Sequence, residues 1–206
     1  MIVEMFHVGI FGCNCIILGC EETQSAIVID PGEEGDRIVE TLKRRGLTAV
    51  TLLHTHAHFD HIGGTARVRE LTGAVAALHE DDMALCEKLP LQTAHFGFPE
   101  LQIPTIDQFI KDGDTFAFGR HAALALHTPG HTYGSTSFYI ADFGLATGDT
   151  LFAGSVGRTD LWGGDHPTLI QSIHKKLLTF PDETRVYPGH GHRTTIGQER
   201  LTNPFL

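Results

Sequence analysis

The chain has 206 residues, 41% of them hydrophobic and 19% charged, with a formal net charge of −10 when its 14 histidines are neutral. This length suits one large domain with a substantial core, and the composition is too apolar for a disordered chain. No apolar run spans a bilayer, no basic stripe invites phosphate, and Met1-Ile2-Val3-Glu4 has no basic segment ahead of an apolar one; no membrane or nucleic-acid partner is therefore expected, and the expected compartment is the cytoplasm.

Residues 13–18 and 25–29 are β-branched and apolar and read as strands, the second stopped by Asp30-Pro31-Gly32. Residues 36–45 predict a helix, with Ile38, Val39 and Leu42 on one face, Asp36 as its N-cap and Gly46 beyond its basic last turn. A short apolar strand follows at 49–53, and Gly63-Gly64 opens a second helix that ends near Gly73. Residues 74–78 read as a strand, 80–89 as a short helix and 90–104 as an irregular loop. From residue 115 the pattern turns to strands, at 115–118, 121–127, 135–140 and 144–147. A helix is predicted over 167–178, with Pro167 in its first turn, and a last strand at 185–187 leads into Pro188-Gly189-His190. This order predicts a single domain over 1–206, with helices packed outside two sheets. Cys13, Cys15, Cys20 and Cys86 lack the paired spacing of a zinc ribbon and read as reduced, buried thiols.

The chemistry concentrates in Thr55-His56-Ala57-His58-Phe59-Asp60-His61. No helical or strand period puts three imidazoles and a carboxylate on one apolar or one solvent face, whereas imidazole and carboxylate are what a divalent ion takes. His56 and His58, two apart in an extended segment, point the same way and can grip one ion. Asp60 and His61 lie past the strand and can face a second. Three further candidates sit beside glycine at predicted strand ends: His131 in Thr128-Pro129-Gly130-His131, Asp149 in Thr147-Gly148-Asp149, and His190 in Pro188-Gly189-His190. His54 reads as buried against the opposite face or as an outer partner. His192 reads as a surface residue, and the remaining histidines read as structural or exposed.

His56-x-His58-x-Asp60-His61, followed by His131, Asp149 and His190 and preceded by Ile29-Asp30-Pro31-Gly32, resembles the metallo-β-lactamase fold superfamily. Within it, Gly148-Asp149-Thr150-Leu151-Phe152, Gly157-Arg158-Thr159-Asp160, Thr194-Thr195-Ile196-Gly197 and Asn203-Pro204-Phe205 resemble the short glyoxalase II-like (hydroxyacylglutathione hydrolase-like) branch. The resemblance implies an α/β (α+β) fold, an αββα four-layer sandwich with a dinuclear site at one edge. His56, His58 and His131 would hold the first metal, and Asp60, His61 and His190 the second. Asp149 would bridge them. The implied cofactors are two divalent ions, zinc first, with iron and manganese as alternatives. The implied reaction is hydrolysis of a small-molecule glutathione thioester such as S-lactoylglutathione. A water between two such ions loses its proton near neutral pH and attacks the carbonyl, with Asp60 orienting it. Arg158 is the expected contact for a glutathione carboxylate.

Full-length glyoxalase II enzymes carry a C-terminal helical region with further glutathione contacts. The sequence ends at Leu206, which places the resemblance with the short branch and leaves another small thioester or ester as an alternative substrate. The competing enzyme is a persulfide dioxygenase of the same fold, similar around residues 157–160, whose single iron would sit on His56, His131 and Asp149. A metal-binding protein without turnover is disfavoured by the complete ligand set. A nuclease of this superfamily is disfavoured by the missing basic surface.

Overall fold

In the strand Cys13-Asn14-Cys15-Ile16-Ile17-Leu18-Gly19 every residue is buried. A strand with no polar face must be covered on both sides, and alternate side chains must enter different cores. The computed structural model, which describes residues 1–206, shows both cores. Ile16 and Leu18 join Ile27, Ile29 and Leu53 between two sheets, facing Phe116, Phe118, Phe138 and Ile140. Cys13, Cys15 and Ile17 turn the other way and pack with Ile38, Val39, Leu42 and Val68 of two covering helices. On the far side of the second sheet, Leu145 and Val186 pack under Leu169, Ile173, Leu177 and Ile196. The layers are therefore helix, sheet, sheet, helix.

In chain order the elements are β1 (Ile2–Val8), β2 (Cys13–Gly19), β3 (Ser25–Ile29), α1 (Gly35–Arg45), β4 (Thr48–Leu53), α2 (Phe59–Ile62), α3 (Thr65–Thr72), β5 (Val75–His79), α4 (Met83–Cys86), α5 (Leu89–Phe96), β6 (Gln108–Ile110), β7 (Thr115–Phe118), β8 (His121–His127), β9 (Thr136–Ile140), β10 (Gly144–Gly148), β11 (Leu151–Phe152), β12 (Ser155–Val156), α6 (His166–Ser172), β13 (Arg185–Pro188), β14 (Thr194–Thr195) and α7 (Ile196–Thr202). One six-stranded sheet has the order β1-β2-β3-β4-β5-β6 and the other β14-β13-β10-β9-β8-β7. β3, β4, β5 and β6 are parallel, as are β10 and β13. The C-terminal ends of β3, β4, β5, β8, β10 and β13 each lead into a loop that reaches the site, as open parallel sheets dispose their ligand crevices. No helix is long and apolar enough to cross a membrane.

Several local expectations are corrected. Asp36 lies in the first turn of α1, and the N-cap is Glu34, whose side chain makes no cap bond. Its carboxylate instead accepts from the Gly9 amide at 3.0 Å and from Arg37 at 2.9 Å. The helix expected at 80–89 is a 3₁₀ turn (Glu80–Asp82) followed by α4, and the loop expected at 90–104 begins inside α5. Pro90 is the reason for the misreading: it occupies the first turn of α5, where proline is tolerated, and does not break a helix. The helix expected at 167–178 runs as α6 and then as a π-helical turn, Ile173–Leu177. Strands β1, β6, β11, β12 and β14 and helix α7 carry no pattern from which they were expected. β1 is an edge strand whose side chains alternate only between half-buried and exposed over most of its length.

Candidate metal centre

The seven candidate ligands come together at the sheet edge, although they come from four separate places in the chain. Three groupings share donor atoms within 4.8 Å of one another: His56, His58 and His131; His56, His61 and Asp149; Asp60, His61 and His190. His58 Nδ1 and His131 Nε2 lie 3.0 Å apart, and His61 Nε2 and His190 Nε2 lie 3.2 Å apart. Asp149 stands between the two groups, with Oδ1 3.4 Å from His61 Nε2 and Oδ2 3.7 Å from His131 Nε2. Asp60 Oδ2 is 3.2 Å from His190 Nε2.

The outward faces of the rings settle which nitrogen carries the proton. A carbonyl oxygen can only accept, so His131 Nδ1–H donates to Arg158 O at 2.8 Å and His190 Nδ1–H to Phe11 O at 3.1 Å. His61 Nδ1–H donates to Asp30 Oδ2 at 2.9 Å. Thr55 Oγ1 already donates to Asp30 Oδ2 at 2.7 Å, so it accepts from His56 Nδ1–H at 3.0 Å. In each neutral ring the bare Nε2 then faces inward. His56 Nε2 and Asp149 Oδ1 are buried with no hydrogen-bond partner at all. Orphaned acceptors converging on one point fit a cation, and the donors suit a divalent ion of the zinc, iron or manganese kind.

The titration behaviour agrees. Burial, reinforced by the neighbouring imidazoles, holds His56 well below the usual histidine range and His58 at about 3. Burial also acts to lower His61, but Cys13, Asp149, Asp60 and Asp30 together raise it well above its ordinary value. His190 is likewise raised, its burial outweighed by Asp60 and Asp149. The pocket thus carries carboxylate charge that wants a positive partner. Cys13 Sγ lies 3.5 Å from His61 Nδ1, on the outward side of that ring, and burial pushes its thiol up to about 12.

Outer residues fix these positions. Asp30 takes a positive φ of 50°, which is uncommon for a residue other than glycine, and its buried carboxylate holds the Thr55 amide at 2.8 Å as well as the Thr55 hydroxyl and His61. A side chain at Gly189 would strike Asp149 Oδ1 and His61 Cε1, so only glycine lets the His190 loop pass there. Three contributors had no signal in the sequence. Asp82 accepts from the Ala57 amide at 2.9 Å, the Thr132 hydroxyl at 2.9 Å and the Gly134 amide at 2.7 Å, tying the His56/His58 segment to the His131 loop. Asn14 donates to Pro188 O at 2.9 Å and Gly191 O at 3.1 Å, tying β2 to the His190 loop. Gln92 of α5 bonds the Phe59 amide at 3.0 Å and Ala57 O at 3.1 Å.

The other predicted residues are placed as follows. His54 is buried beside the site, donating to Ala77 O at 2.8 Å and accepting from Thr65 at 2.6 Å, and is no ligand. His192 is exposed. Arg158 lines a cavity of about 130 Å³ that opens onto His58, Asp60, His131 and Asp149. Its Nε and Nη2 are taken by Asp160 at 2.7 and 2.8 Å.

The model of the metallo-β-lactamase superfamily matches residues 8–190. The chain is 39% identical to hydroxyacylglutathione hydrolase GloC of Haemophilus influenzae over all of this chain and 98% of that one. It is 33% identical to the human mitochondrial persulfide dioxygenase ETHE1, over 92% of this chain and 70% of that one. The crystal structure of TTHA1623 in a di-iron-bound form superposes with a TM-score of 0.89 at 37% identity, covering 98% of this chain and all of the other. The chain belongs to the metallo-β-lactamase superfamily, a fold of metallo-hydrolases that bind divalent ions.

Proposed function

We propose that the protein is a dinuclear metallo-hydrolase that cleaves a glutathione thioester, with S-lactoylglutathione as its reference substrate. The observation that carries this reading is the double set of inward-facing donors, with His56 Nε2 and Asp149 Oδ1 buried and unpartnered between them. His56, His58 and His131 would hold one ion, Asp60, His61 and His190 the other, and Asp149 both; zinc is the first choice, with iron or manganese as alternatives. When bound, two divalent ions supply an acidified water and polarise a carbonyl oxygen near neutral pH.

The chain's own residues do the rest. Arg158 O, Phe11 O, Asp30 and Thr55 hold four imidazoles in one orientation, with Nε2 turned inward, so the rings need no reorientation to bind an ion. Asp60 is held well below the usual carboxylate range: its burial acts to raise it, and His61 and His190 overcome that effect. It therefore stays ionised and can accept a hydrogen bond from the attacking water, orienting it. Hydrolysis forms the new C–O bond to that water and breaks C–S. The thiol leaves as thiolate, and the water's protons pass to solvent and the new carboxylic acid. Arg158, with one guanidinium edge left by Asp160, is the proposed contact for a carboxylate of the thiol half.

Similarity to hydroxyacylglutathione hydrolase GloC supports the hydrolase reading. Similarity to persulfide dioxygenase ETHE1 supports a second, in which one iron sits on His56, His131 and Asp149. Elemental analysis of protein purified without added metal, paired with S-lactoylglutathione turnover, separates them. Two ions per chain and chelator-sensitive hydrolysis are expected. One iron per chain, with oxygen uptake on glutathione persulfide, would overturn the proposal.

A further inference from the structure

One wall of the cavity is aromatic. Phe11, from the turn between β1 and β2, lies 5.5 Å from Phe59, 5.6 Å from Phe96 and 5.8 Å from Phe98, centroid to centroid. Phe59 lies 5.5 Å from both Phe96 and Phe98. Phe11 is 46% exposed and Phe96 is 44% exposed, and both line the cavity together with the ligands. Exposed rings at the mouth of a cavity give up water when a ligand covers them.

This wall is fixed relative to the ligands. The Phe11 carbonyl accepts from His190 Nδ1, and Gln92 bonds the backbone on both sides of His58, at Ala57 O and the Phe59 amide. Phe96 follows Gln92 by four residues and so shares its face of α5. The polar groups near the wall are already engaged. Gln92 spends its amide nitrogen on Ala57 O and Leu85 O and its oxygen on the Phe59 amide, and Arg158 gives Nε and Nη2 to Asp160, its remaining edge being the contact proposed for the thiol half. A hydroxyl laid against this wall finds no side-chain partner and loses its water, whereas an apolar group loses nothing.

The geometry points to an acyl-binding subsite for a compact apolar group, an aryl or branched aliphatic acyl chain, with Phe11 and Phe96 as specificity-determining residues. This inference rests on the thioester-hydrolase reading and names the acyl half of its substrate.

The test compares S-acetyl-, S-lactoyl- and S-phenylacetylglutathione on the metal-loaded protein, so that the thiol half cancels. At roughly fourfold per methylene-sized group buried, phenylacetyl is expected to exceed acetyl and lactoyl by at least about tenfold in kcat/KM. Phe96→Ala should collapse the phenylacetyl-to-acetyl ratio to within about threefold, and Phe96→Leu should leave it intermediate. Equal kcat/KM across the series, a preference for lactoyl, or a ratio untouched by Phe96→Ala would overturn the subsite. If no thioester is turned over, the hydrolase reading fails by itself, and the subsite is then read from binding of the free acids by NMR titration. Phenylacetate bound more tightly than lactate, with the difference lost in Phe96→Ala, upholds it; equal binding overturns it.

Discussion

Two groups of histidines lie at neighbouring strand ends, and only one has the geometry for an ion. His79 ends β5 and His127 ends β8, and with Asp81 they bring donor atoms as close together as the candidate ligands do. Their rings, however, are stacked at 4.0 Å with an interplanar angle of 10°. An ion about 2.1 Å from a nitrogen of each ring would sit off both lone pairs, because those lie in parallel planes. At the centre, His56, His58 and His131 are mutually tilted by 76–89°, at centroid distances of 4.7 to 4.8 Å. The anchoring differs as well. His127 spends Nε2 on Tyr133 O, and His79 Nδ1 accepts from the Asp81 amide, so the second pair leaves no buried orphaned acceptor. Proximity of imidazoles is thus insufficient; ring orientation and an outer hydrogen bond on the far nitrogen make a site.

Breaking the centre should give the largest effect. Asp149→Asn keeps the shape but removes the charge shared by both groups. Thioester turnover should fall well beyond the ~10–100-fold that loss of an outer hydrogen-bond partner causes, with loss of bound metal by elemental analysis. Turnover and metal content like those of the parent protein would show that the two groups are not joined through Asp149.

The outer anchors come next. Asp30→Asn removes the acceptor for His61 Nδ1–H and puts an amide between the Thr55 hydroxyl and amide. Metal affinity at the His61 group should drop about 10–100-fold, and unfolding free energy by about 1–3 kcal/mol, because the partners left behind are buried. Chelator competition and denaturant unfolding measure the two. Asp82→Asn should be milder in metal affinity, since Asp82 grips the backbone of the ligand loops and no imidazole. Retention of full affinity in Asp30→Asn would mean that ring orientation alone suffices.

These two tiers differ in how far the sequence announced them. His56, His58, Asp60 and His61 fall within six residues, and His131, Asp149 and His190 sit beside glycines at strand ends, so local spacing exposed them. Most of the strands and α1 were visible through their apolar period, since two covered faces leave few polar residues. Asp82, Asn14 and Gln92 were invisible because the site groups they hold lie 25 to 177 positions away, joined only when the sheets close. The aromatic wall was hidden for the same reason: Phe11 and Phe96 meet through a turn and a helix that Pro90 disguised as a loop. Arg158 divides into two contributors. Its carbonyl fixes His131, and its side chain faces Asp160.

The smallest expected effect tests the stacked pair itself. His79→Phe keeps a flat ring against His127 and gives up one acceptor, the Nδ1 that receives the Asp81 amide at 3.3 Å near solvent. That bond is long and exposed, so its loss should cost under about 1 kcal/mol in denaturant unfolding. Burial, with His127 adding to it, already holds His79 below the usual histidine range, so the native ring is largely uncharged near neutral pH and a neutral phenyl ring reproduces its electrostatics. Metal content per chain should stay at the parent value and turnover within about twofold. A variant that lost one equivalent of metal while keeping turnover would make the stacked pair a third site and refute the orientation argument. Unchanged metal content assigns all bound ions to the tilted, anchored rings.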